Sequence, residues 1–142
     1  LTQLYTRLIC DEFYGTTPEH GYGYGQDEDQ GQLGAWYVMA AMGLFDVQGG
    51  TNITPSYQIG SPKFRKITIK LDPRYYSGKT LVIETENNAP DHYYVQSATL
   101  NGQSLEDCWF YRREIINGGH LKLQMDSTPN TRWGIASMPH SK

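Results

Sequence analysis

The stretch Gln32–Gly50, QLGAWYVMAAMGLFDVQGG, decides how the rest of the chain reads, because the hydrophobic rhythm changes on leaving it. Within it Leu33, Trp36, Tyr37, Ala40, Ala41 and Leu44 fall at i, i+3, i+4, i+7, i+8 and i+11, one face of an α-helix. Gly43 and the pair Gly49-Gly50 bracket its end, where a left-handed residue commonly stops a helix. Upstream, Leu4, Tyr5, Leu8, Ile9 and Phe13 fit a second helical stripe, which Gly15, Thr16, Thr17 and Pro18 terminate. Downstream of Gly50 the period becomes two. Ile67–Leu71 and Leu121–Met125 alternate apolar and polar, and Thr80–Glu84 and Tyr93–Leu100 also read as strands. Asp72-Pro73, Ser77-Gly78, Asn87-Asn88, Asn101-Gly102 and Asn117-Gly118-Gly119 separate them as turns, and Asn101-Gly102 suits the tip of a type I′ hairpin. Short strands at this spacing point to an antiparallel sandwich. The expected organisation is therefore α+β, with a helical piece over residues 1–50 and an antiparallel β region over residues 51–142.

Composition bounds the function. The chain has 142 residues, room for one domain with a real core or two small ones, and its 13% aromatic content with 19% charged residues is that of a globular protein. The net charge is −3 with no basic block, which argues against a nucleic-acid partner. No apolar run approaches the ~20 residues that a membrane span needs. Cys10 and Cys108 are the only cysteines; one long-range disulfide and two separate thiols are both compatible with them, and no Cys-x-x-Cys pair supports a structural zinc. The chain opens on Leu1 already inside a helical pattern, and two helices cannot bury their own stripes. It reads as the continuation of a longer polypeptide that would supply the covering surface. Asn52-Ile53-Thr54 matches a glycosylation sequon, relevant only in a secreted eukaryotic protein.

Before the second helix stand three consecutive acids, Asp27, Glu28 and Asp29, preceded by the loop His20–Gln26 with its three glycines and two tyrosines. Two readings are open. Asp29 to Gln32 has capping-box spacing, so Asp29 could cap the helix while its dipole favours Asp27 and Glu28. A cap needs one acid, however, and three neighbours repel. A carboxylate at a helix start is held ionised by N–H donors and positive potential, which suits a general base, a water-orienting anion or a metal ligand, and does not suit a general acid. The acid partner would then come from elsewhere; Glu12, Glu19 and Asp46, the nearest other carboxylates, stand in no recognisable context. Gly21, Gly23 and Gly25 do not make a dinucleotide fingerprint, and the acids do not make an EF-hand, which would need Gly at position 32 and Glu at position 38. His20, His92, His120 and His140 are scattered and read as surface or packing residues. Tyr22, Tyr24, Trp36 and Tyr37 flank the acids, and aromatic faces beside carboxylates are what a sugar cleft needs. Trp36 fits the buried stripe as well as a sugar contact.

The segment Gly23–Tyr37, GYGQDEDQGQLGAWY, resembles a signature of glycoside hydrolase family 92, calcium-dependent exo-acting α-mannosidases. AAMGLF at Ala40–Phe45, YQIGSPKF at Tyr57–Phe64, YVQSATLNG at Tyr94–Gly102, and Gly118-Gly119 followed by Met125 are similar to family text in the same order, so the resemblance runs from about Leu1 to Trp133. It implies a C-terminal fragment: the terminal helices of an (α/α)6 catalytic barrel, then a β region packing beside it. It also implies an inverting hydrolase of terminal α-mannosides in mannose-containing glycans, with Ca2+ holding the sugar ring and most calcium ligands outside this chain. Family habit implies a periplasmic or secreted enzyme. By similarity Asp29 is the base that activates water, Asp27 helps position that water, and Glu28, Tyr24 and Trp36 contact substrate; the glutamic acid that protonates the leaving oxygen would lie upstream. Two departures stand out, Gln26 where the family usually has glycine and Gln30 where it often has asparagine or a small residue. A non-catalytic sugar-binding module and a structural domain whose acids only cap a helix are the alternatives.

Overall fold

A computed structural model describes residues 1–15 and 31–138. Two α-helices, α1 (Thr2–Glu12) and α2 (Gln32–Met42), precede eight strands among these residues. The strands are β1 (Leu44–Phe45), β2 (Ser56–Ile59), β3 (Lys66–Lys70), β4 (Thr80–Glu86), β5 (Tyr94–Leu100), β6 (Gln103–Leu105), β7 (Trp109–Tyr111) and β8 (Gly119–Asp126). They form a three-stranded sheet, β1-β2-β7, and a five-stranded sheet, β3-β4-β8-β5-β6. The α+β class expected from the periodicities is the observed one.

The larger sheet buries one face. Leu81, Ile83 and Thr85 of β4 alternate with half-buried neighbours, as do Leu121, Leu123 and Met125 of β8. On β5 the phase breaks: Val95 and Ala98, three residues apart, are both buried. A bulge between Val95 and Ser97 inserts the extra residue that puts both side chains on the core face. Leu44, Ile59 and Phe110 from the small sheet and Ile115 from the segment after β7 complete the core cluster.

One pairing departs from the antiparallel pattern expected for residues 51–142. β4 and β8 run parallel, with Leu81 opposite Gly119 and Glu86 opposite Gln124. This alignment brings two of the turns read from the sequence against each other. A Cβ on Gly78 would stand 1.9 Å from the Asn117 carbonyl carbon, so only glycine lets the two backbones approach. Ser77 Oγ donates to Asn117 Oδ1 across the same contact. The Asn101-Gly102 tip behaves as expected: both residues have positive φ, 53° and 81°, and join β5 to β6 through a two-residue loop.

Both helices dock through fewer residues than their stripes suggested. α1 buries Arg7 and Cys10, and Gln3 Oε1 accepts the Val95 N–H, so the 3/7/10 face meets the β region. Tyr5 is 57% exposed and Val38 of α2 is 55% exposed. In α2 only Ala40 and Ala41 are buried, at the end nearest the sheets. That end is anchored by the Gly60–Lys63 loop. Gly43 O accepts from Gly60 N–H at 2.7 Å, and Ala41 O accepts from Lys63 N–H at 3.0 Å. Gly43 has φ 73°, and a Cβ there would lie 2.4 Å from the Pro62 ring.

This close approach yields a controlled comparison. Gly43→Ala should lower unfolding free energy by roughly 2–5 kcal/mol, combining left-handed strain and overpacking. Gly50→Ala, at φ 76° with nothing within 4 Å of the new Cβ, should cost only about 1–2 kcal/mol. Urea denaturation midpoints of the two variants measure the difference.

Candidate functional site

Tyr24, Asp27, Glu28 and Asp29 lie outside the described residues, as does Glu19; what the structure describes is the frame on either side of them. The chain leaves α1 through Phe13, which donates its N–H to Ile9 O, and enters α2 from Gly31, at φ 91°. Gly31 holds the N-cap position with no side-chain cap, and Gln32 is the first helical residue. The capping-box spacing, which required Gln32 as the third residue of the helix, is therefore not realised in α2. Left-handed glycine at the cap lets the backbone turn sharply where an L-residue would be strained.

The frame is closed by aromatic stacking that the sequence did not reveal. Tyr14 lies against Trp36, with ring centroids 5.4 Å apart and planes at 20°, and against Tyr37, at 5.1 Å and 28°. Residues on the two sides of the 16–30 segment thus share one packed cluster. Trp36, the sequence-predicted sugar contact that the structure does describe, is half-buried. It lines a mainly apolar cleft of about 440 Å³ together with Thr2, Thr6, Phe45, Val47 and Gln58.

An ion cluster stands behind Tyr37. The Lys63 ammonium lies 5.6 Å from the Tyr37 ring centroid and 2.5 Å from Asp11 Oδ1. Burial draws the Lys63 ammonium down, but the hydrogen bond and charge of Asp11 outweigh that and hold it above its ordinary value, so it is protonated at neutral pH. Arg7, one helical turn from Asp11, donates through Nη1 to Pro62 O at 2.6 Å. The Arg7–Asp11 spacing of i, i+4 was the available sequence signal for this cluster. Burial raises the Cys10 thiol, which makes it a packing group rather than a nucleophile. Cys10 and Cys108 are both free thiols.

The other carboxylates near the acids in sequence have local duties. Asp46 accepts the N–H groups of Gln48 and Gly50, each at 2.9 Å, and so holds the turn after β1. Glu12 is exposed at the end of α1. Among the described residues no three His, Cys, Asp or Glu side chains come together as a metal site. No helix among the described residues is long and apolar enough to cross a membrane.

Comparison with known proteins fits this arrangement. Residues 1–127 match the family model described as the glycosyl hydrolase family 92 catalytic domain. An α-mannosidase of that family from Bacteroides thetaiotaomicron has a structure similar over 94% of this chain, at 30% identity and a TM-score of 0.80. An inverting mannosidase of the family from the same bacterium is 41% identical over 94% of this chain, with a TM-score of 0.77. An uncharacterized secreted glycosidase of the fungus Arthroderma benhamiae is 33% identical over 110 residues, 76% of this chain. The chain spans 13% of that fungal protein and 17% of each of the two bacterial structures. Matched by the family model along most of its length and by the family's structures in its fold, this chain belongs to glycosyl hydrolase family 92.

Proposed function

We propose that this chain is the C-terminal part of an inverting α-mannosidase that hydrolyses terminal α-mannosides, and that it carries the general base but not the general acid. The observation that carries the reading is the acidic triplet Asp27–Asp29, set in text similar to the family signature and separated from α2 only by Gln30 and Gly31. Identity of 41% to a protein described as an inverting mannosidase supports the reaction class. A related family structure described in complex with mannoimidazole supports a mannose-like ligand.

In this reading Asp29 accepts a proton from the attacking water, Asp27 orients that water, and Glu28, Tyr24 and Trp36 contact the sugar. The base must stay ionised at neutral pH, which a position near the start of a helix favours. Inversion needs a separate acid on the opposite face of the sugar, far enough away to admit water. That acid, and most of the calcium ligands implied by family resemblance, are assigned to polypeptide upstream of this chain. Calcium would hold the mannose ring, and chelation of the full-length enzyme should abolish turnover that added Ca2+ restores.

The same reading assigns residues 1–50 to the terminal helices of an (α/α)6 barrel and residues 51–142 to the β region beside it. Its support is the apolar side chains left exposed on the helices, Leu1, Tyr5 and Val38. The remainder of the enzyme is the partner that would cover it. A periplasmic or secreted location is supported by the fungal relative's description as secreted. A non-catalytic sugar-binding module is the competing reading, favoured by Gln26 and Gln30, whose bulk departs from the family text.

Asp29→Asn in the full-length enzyme separates them. Loss of the base should lower kcat by about 10²–10⁴-fold with KM little changed. Under the binding-module reading the full-length protein has no turnover to lose, and under a purely structural one kcat stays put. The 142-residue chain alone should release no mannose from an α-mannoside, and measurable turnover by it would refute the division of acid and base.

A further inference from the structure

A second cleft, of about 430 Å³, lies between α1, the segment following Pro62 and the turn after β4, with Arg7, Asp11, Lys63, Arg65, Asn88 and Pro90 on its walls. Three cations meet there with one carboxylate. Asp11 serves two of them: Oδ1 takes the Lys63 ammonium at 2.5 Å, and Oδ2 stands 3.8 Å from Arg7 Nε. The third, Arg65, has no ion pair among the described residues.

Arg7 is the decisive member. It is only 4% exposed, yet its Nε has no hydrogen-bond partner. Its Nη1 is bound to Pro62 O and to Ser61 Oγ, which fixes the guanidinium in place. Arg7 itself lines the cleft, and the carboxylate nearest its Nε is Asp11 on the same wall, at 3.8 Å. The buried guanidinium adds positive potential to the cleft that Asp11, shared with Lys63, only partly offsets. The opposite wall is stiff: Asn88 Nδ2 donates to Thr85 Oγ1 at 2.9 Å and to Pro62 O at 3.3 Å.

We propose that this cleft is an oxoanion site, in which a phosphate or carboxylate group is held by the Arg65 guanidinium and the Lys63 ammonium, with the buried Arg7 charge behind them. A guanidinium fork and an ammonium lining one cleft match the divided charge of such a group. The volume admits a small ligand. The group comes either from a free small anion or from an acidic side chain elsewhere in the longer polypeptide.

Titration of the 142-residue chain with inorganic phosphate at constant ionic strength, followed by amide NMR shifts, tests the site. Saturable shifts are expected at the amides of residues 63–65 and 87–89, with acetate moving the same amides. Arg65→Ala should weaken phosphate binding about tenfold or more, and Arg65→Lys should fall between, because it keeps charge but loses the fork. The same titration on the full-length enzyme assigns the source. Saturable binding there identifies a free anion, whereas binding by the short chain alone identifies a carboxylate supplied by the rest of the polypeptide. Shifts that do not saturate, that chloride reproduces, or that Arg65→Ala leaves unchanged would overturn the proposal.

Discussion

The last turn of a helix leaves carbonyls without partners, and in α2 those carbonyls are what fastens the helices to the sheets. Ala41 O and Gly43 O accept from Lys63 and Gly60 of one loop, while Arg7 reaches from α1 to Pro62 O in the same loop. With Asn88 of the turn after β4, which also donates to Pro62 O, three segments distant in sequence converge on residues 60–63. Ser61 and Pro62 are fully buried at that point, although they belong to a connection rather than to a strand. A shift of this loop would move α1 and α2 together, and with them the aromatic cluster of Tyr14, Trp36 and Tyr37.

That coupling bears on catalysis as proposed. A base that activates water must be placed to within fractions of an ångström, and its flanking residues here are anchored to a β core instead of to loops alone. The acid needed for inversion is assigned elsewhere, so the two halves of the chemistry would ride on separately supported parts of one enzyme. The β region then acts as ballast for the helix that follows the acidic triplet. Lys63 joins the two functions, because its backbone holds α2 and its ammonium neutralises Asp11 under Tyr37.

Local patterns could be read directly from residues. The alternation in Leu121–Met125 and the Asn101-Gly102 turn specify a strand and a hairpin without outside help. β2 and β7 escaped notice because Ser-Tyr-Gln-Ile and Trp-Phe-Tyr do not alternate, and their pairing comes from Tyr57 meeting Phe110 across the small sheet. The parallel contact of β4 with β8 was equally hidden, since nothing within either strand specifies the direction of a partner some forty residues away. The glycines at 78 and 118 were visible as turns, but their real constraint is mutual. At the site, residue chemistry marked the acids and Trp36. Tyr14 and the buried arginine depend on how two helices lie against a sheet, and periodicity carries no such information.

The position of β8 has a further consequence for biosynthesis. Of the five strands in the larger sheet, the last to leave the ribosome is the middle one, flanked by β4 on one side and β5 on the other. Until it arrives, β3-β4 and β5-β6 are separate hairpin-like ribbons, each with an unpaired edge able to recruit another chain. Closure of the sheet must wait for these long-range contacts, which form slowly. A nascent or C-terminally shortened chain lacking residues 119–126 would therefore hold two open edges and an uncovered apolar face, the combination most prone to aggregate. Translation through that single strand converts the whole region from a liability to a closed unit.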